Sequence, residues 1–154
     1  MGEQDYDTHF CALGCNFYFI FFIQVSTMMK CFHYDAHPMG MFISTMAAMS
    51  TMHPGANPAL AGQDVYKDQK TRNKQIHRLL GCAPTIAAQA YRHRIGRPYN
   101  MPKKGLSYVE NFLFMLDNLN ETDYHAHPKL VKALEVLFIL HAEHELNCST
   151  AAVR

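Results

Sequence analysis

Apolar residues recur at helical spacing near the end of the chain. Leu130, Ala133, Leu134, Leu137, Phe138 and His141 fall at i, i+3, i+4 and i+7 intervals, the pattern of one helix face. Such a face is built to be buried, so the spacing predicts that His141 arrives at the edge of a core. His144 follows about one helical turn later, with Glu143 and Glu145 beside it. A polar group delivered there costs free energy unless it finds a partner, and a ligand is one such partner.

The same reading predicts helices upstream. Pro38 suits a first helical position, where its missing N–H has no helical partner anyway. Residues 38–52 then read as one helix, apolar nearly all round and so buried on most sides, ended by His53, Pro54 and Gly55. Asn57 to Asp64 reads as a loop with a short helical turn. Gln69 to Leu80 is a helix with Lys70, Arg72, Lys74 and Arg78 on its wet side, Ile76, Leu79 and Leu80 inside, and Gly81 as its C-terminal cap. Pro84 opens another, which Gly96 and Pro98 end; its Ala87, Ala88 and Ala90 permit close helix approach. Ser107 and Glu110 form a capping box before a helix over 108–119, and Pro128 opens the last. No long run alternates with period two, and there is no glycine-rich phosphate loop or internal repeat. The fold class is therefore all-α, about five helices with short connections.

Residues 1–34 stand apart as an atypical segment. Met1 to His9 is acidic and polar, and Phe10 to Met29 then carries no charged residue. That length suffices in principle for a membrane span. Asn16, Gln24, Ser26 and Thr27 dilute it, and the acidic start is unlike a signal peptide, so a membrane partner is not favoured. The preferred reading is an alternative or mis-spliced N-terminus ahead of a domain over 35–154.

Composition changes this picture little. The chain has 154 residues, 49% of them apolar, enough for one domain with a sizeable core. A net charge of +1 gives no reason to expect nucleic acid. Five cysteines without paired spacing suggest free thiols in a reducing compartment. The methionines clustered over Met39 to Met52 suit a packed helix.

Three blocks in chain order carry a specific resemblance. They are D-A-H-P-M-G at Asp35 to Gly40, A-P-T-I-A-A-Q-A-Y-R-H-R-I-G-R-P at Ala83 to Pro98 followed by L-S-Y-V-E-N-F-L at Leu106 to Leu113, and H-A-E-H-E-L-N-C-S-T-A-A-V-R at His141 to Arg154. Together they resemble citrate synthase over roughly residues 32–154. The resemblance implies an acyltransferase that condenses acetyl-CoA, as substrate, with oxaloacetate, needing no separate cofactor. It implies that the segment after His141 binds oxaloacetate through His144, with His141 and Asn147 as further candidates. It also implies that helices 38–52 and 84–94 lie in a helical sandwich between two subunits of a homodimer. The compartment stays open among mitochondrial matrix, peroxisome and cytoplasm, and citrate synthase is not separated from 2-methylcitrate synthase.

Read from the residues alone, His141 serves as well as a satisfied structural histidine. Glu143 and Glu145 suit a solvated edge, and Cys148 suits packing, since no base is evident for it. The i, i+3 histidine spacing without a third ligand argues against metal. The other histidines, among them His37, His93 and His127, read as caps and surface groups, with His37 placed to serve a helix start. The family's enolising aspartate and histidines belong to later motifs, G-P-x-H-G-G among them, that these 154 residues do not contain. The expectation is a partial citrate synthase with no catalytic residue of its own, inactive alone. The alternative is a non-catalytic interaction fragment that pairs with full-length subunits.

Overall fold

A computed structural model describes residues 15–52 and 68–142, together with position 153. Among the described residues five helices follow in chain order: α1 Cys15–Cys31, α2 Pro38–Met52, α3 Gln69–Arg94, α4 Tyr108–Asp117 and α5 Pro128–His141. There is no strand among the described residues, so the all-α expectation holds. The loop read over residues 57–64 lies outside them.

The core is built from rows spaced four residues apart. Phe21, Val25 and Met29 of α1, Met41, Thr45 and Met49 of α2, and Cys82, Ile86 and Ala90 of α3 are all buried. One row suffices for α1 and for α2, which each pack on α3 and on each other, whereas the central α3 also buries Thr85, Ala88 and Gln89. Helix α2 is thus less enclosed than its sequence suggests: it buries that row, while Met39 and Ile43 face outward. The apolar stretch before residue 34 supplies a core helix here, and no described helix is long and apolar enough to cross a membrane.

Helix α3 corrects the two-helix reading of residues 69–94. It runs unbroken through Gly81 and Pro84. Proline cannot donate to the carbonyl four residues back, and that loss normally breaks a helix. Here the carbonyl in question, on Leu80, accepts instead from the Tyr108 hydroxyl of α4 at 3.1 Å. Gly81 is not a cap. The left-handed residue that ends the helix is Gly96, with φ of 69°. Arg97 N donates to the Arg92 carbonyl and Gly96 N to the His93 carbonyl, which closes the last turn.

The expected sides of the first half of α3 are also corrected. Ile76, Leu79 and Leu80 are exposed and Arg78 is buried, its Nη1 donating to Gln75 at 3.0 Å.

Helix α4 begins at the expected capping box. Glu110 N donates to the Ser107 hydroxyl at 3.3 Å, and the Glu110 carboxylate accepts from Ser107 N at 2.8 Å. Val109, Leu113 and Met115 turn inward against α3.

Candidate functional site

Helix α5 presents the candidate site. Its N-cap is His127, whose Nδ1 accepts from Lys129 N, with Pro128 at the first helical position. Its one substantial described contact is with α4. Phe138 lies edge-on to Tyr108 with ring centres 6.2 Å apart, and 6.3 Å from Phe112. The expectation of a buried face ending at His141 is not met among the described residues: α5 has no buried residue, and Leu130, Leu137 and Phe138 of that face are 50%, 47% and 41% exposed. The periodicity is real, but α4 covers only part of it.

His141 is the last residue of α5 and is exposed. Its Nδ1 lies 2.7 Å from the Leu137 carbonyl oxygen. A carbonyl can only accept, so Nδ1 carries the proton and Nε2 is left for any further partner. The ring is thereby partnered within its own helix. Of the residues proposed to bind oxaloacetate, His144 and Asn147 lie outside the described residues, as do Glu143, Glu145 and Cys148.

A second polar group was not anticipated from sequence. Arg92 of α3 is fully buried. Its Nη1 donates to the carbonyls of Leu116 at 2.8 Å and Asn118 at 3.1 Å, and its Nε to that of Pro98. Asn100 adds an amide donor to the Asn118 carbonyl at 2.6 Å. These donors take up the orphan carbonyls at the end of α4, and the cation suits the negative end of that helix. Burial, and then the neighbouring Arg97, oppose the Arg92 charge, while Asp117 favours it.

Beside it, His93 links three segments. Its Nε2 is 3.3 Å from the Phe32 carbonyl at the end of α1 and its Nδ1 is 2.9 Å from the Tyr99 hydroxyl. Nε2 therefore donates and Nδ1 accepts. His93 is a half-buried tie and not the surface group expected. No spacing signal announced either residue, because both roles depend on partners far along the chain.

No group of three or more His, Cys, Asp or Glu among the described residues is placed to hold a metal ion. Cys31 and Cys82 are free thiols; burial pushes the Cys82 thiol up to about 12, so it is inert at neutral pH. A small cleft lined by Leu106, Glu110, Tyr124, His125 and Ala126 lies near the start of α5. His141 is a helix length away, about 20 Å.

Comparison with known proteins bears directly on this helix and its neighbours. The family described as "Citrate synthase, C-terminal domain" matches residues 23–154, a span that begins inside α1 and takes in all five helices in whole or in part. A citrate synthase of Dictyostelium discoideum is 66% identical over 128 residues, 83% of this chain and 25% of that protein. A "Citrate synthase, peroxisomal" of the same organism is 66% identical over 127 residues, 82% of this chain and 26% of that protein. A "Citrate synthase, glyoxysomal" of Cucurbita maxima is 58% identical over 121 residues, 79% of this chain and 23% of that protein. The chain thus spans about a quarter of the length of these relatives. With the family match covering most of its length and all-helical architecture throughout the described residues, the chain belongs to the citrate synthase family.

Proposed function

We propose that these residues form the oxaloacetate-side helical part of a citrate synthase, an acyltransferase that joins the methyl carbon of acetyl-CoA to the keto carbon of oxaloacetate and releases citrate and CoA. The observation that carries the reading is the family match over residues 23–154, which includes the H-A-E-H segment that begins at the last residue of α5. His144 is the residue assigned to substrate. An imidazole N–H donates to a carboxylate or keto oxygen, and a cationic ring holds that anion more strongly. His141 and Asn147 support the same site, His141 through the Nε2 that its bond to Leu137 leaves available.

Residues 1–154 alone do not turn over. An anchored substrate still needs a base for the methyl proton and a geometry that brings the two reactants together. The test follows thiol release from acetyl-CoA and oxaloacetate with the purified 154-residue chain. No rate above background is expected; citrate formation abolished by His144→Ala would overturn the reading.

Helix α2 and residues 84–94 of α3 are assigned to a subunit interface, a reading supported by the outward Met39 and Ile43 of α2 and Tyr91 of α3. The same surface favours the second reading, in which the chain pairs with intact citrate synthase subunits without catalysing. Co-purification with a tagged full-length enzyme separates the two. The peroxisomal and glyoxysomal relatives favour a compartment of that kind.

A further inference from the structure

Helix α3 reaches past the starts of α1 and α4. Ser26 Oγ donates to Gln89 Oε1 at 3.3 Å, and the Phe32 carbonyl lies 3.3 Å from His93 Nε2. Both residue numbers rise together, so α1 and α3 run parallel. Cys15, where α1 starts, is eleven residues before Ser26, and Arg78 is eleven before Gln89. The start of α1 is therefore level with Arg78. Helix α4 keeps a similar register: Tyr108 meets Leu80 and Met115 meets Thr85. Residues 69–77 project beyond both starts, and Lys70 stands about 12 Å beyond Arg78 at 1.5 Å per residue.

The projecting part is cationic. At 3.6 residues per turn, Thr71, Gln75 and Arg78 continue the side of α3 on which Gln89 meets α1. Lys70 and Lys74 flank that line on one side and Arg72 on the other, all three exposed. No Asp or Glu occurs from Gln69 to Val109. Helix α2 has no charged residue and α1 has only Lys30. Asp68 is engaged with the Thr71 hydroxyl and with the Thr71 and Lys70 amides. On α4, the Glu110 carboxylate accepts from Ser107 N, and Asp117 acts on Arg92 at the far end.

The opposite charge lies at the opening of the chain. Glu3, Asp5 and Asp7 precede α1, and no Lys or Arg comes before Lys30. Because α1 starts level with Arg78, these acids join the fold beside the cationic turns. Asp7 is eight residues before Cys15, which allows a reach of about 28 Å at most. That is more than twice the distance along α3 to Lys70. The acids also precede residue 23, where the family match begins.

We propose that the acidic opening segment straps the projecting start of α3, with Glu3, Asp5 and Asp7 laid along Thr71 and Gln75 and paired with Lys70 and Lys74. The inference stands independently of the citrate synthase reading. Its test is zero-length crosslinking of the 154-residue chain with a carbodiimide, which couples a carboxylate to an amine in direct contact, read by mass spectrometry. Amide links from Glu3, Asp5 or Asp7 to Lys70 or Lys74 are expected, and they stay within one chain when isotope-labelled and unlabelled chains are mixed. In about 1 M salt, where the screening length falls to about 3 Å, their yield drops roughly fivefold. Lys74→Gln leaves Lys70 to react and lowers the Lys70 link about twofold, the size of one exposed ion pair. No link to Lys70 or Lys74, links that favour Lys129 or Lys132 of α5, links between different chains, or a yield indifferent to salt would overturn the proposal.

Discussion

The Tyr108 hydroxyl donates to the Leu80 carbonyl, 3.1 Å away, and that carbonyl is the one Pro84 leaves without its helical donor. One bond both repairs the interior of α3 and joins α3 to α4. Tyr108→Phe is therefore expected to cost about 1 kcal/mol in the wild-type background. With Pro84→Ala the carbonyl regains a helical donor, and the same change costs much less. Urea midpoints for the two single variants and the double variant measure the coupling. Additive effects would show that the hydroxyl does not substitute for the missing N–H.

Arg92 ties α3 to the end of α4 through the carbonyls of Leu116 and Asn118, and its Nε also reaches the Pro98 carbonyl just past α3. Lysine cannot reproduce this divergent set of donors. Arg92→Lys is expected to destabilise by about 2 kcal/mol, because buried acceptors are left unmade. An unchanged urea midpoint would contradict the assignment.

Asp68 caps the start of α3. Its carboxylate accepts from Thr71 Oγ1 at 2.6 Å, Thr71 N at 3.0 Å and Lys70 N at 3.3 Å. The Thr71 side chain, then the two backbone donors, hold its carboxyl below the ordinary value of 3.8. The folded value is depressed, so the cap contributes fully above 3.8 and is lost as pH falls through the lower, folded value. Thr71 amide protection in the wild type should fall in that acid range. Asp68→Asn, whose amide does not titrate there, should flatten the dependence.

Local chemistry was legible in the sequence wherever the partner sits within a few residues. The Ser107–Glu110 capping box, the Pro38 and Pro128 helix starts and the Gly96 stop all belong to this class. Pro84 was misread because its two possible roles, first residue or interior residue, differ only by a hydroxyl supplied from residue 108. Arg92 carried no signal of its own, because its burial depends on carbonyls at positions 116 and 118. In α1, the dense run Phe17 to Ile23 concealed the simple row Phe21, Val25 and Met29. The α5 stripe announced a face to be covered, but α4 is the one described helix substantially against it. The candidate site was legible as far as words go: H-A-E-H named a family, while periodicity alone left His141 with two equal roles.

Exchange of residues 35–154 into the Dictyostelium discoideum citrate synthase, which is 66% identical over 128 residues, places the segment among the parts needed for turnover. The measurement is steady-state citrate formation as a function of oxaloacetate concentration. The account predicts that the chimera stays within about tenfold of the parent in kcat/KM, and that His144→Ala in it lowers that ratio roughly 100-fold or more. A folded chimera that forms no citrate, or one in which His144→Ala leaves the oxaloacetate dependence unchanged, would contradict it.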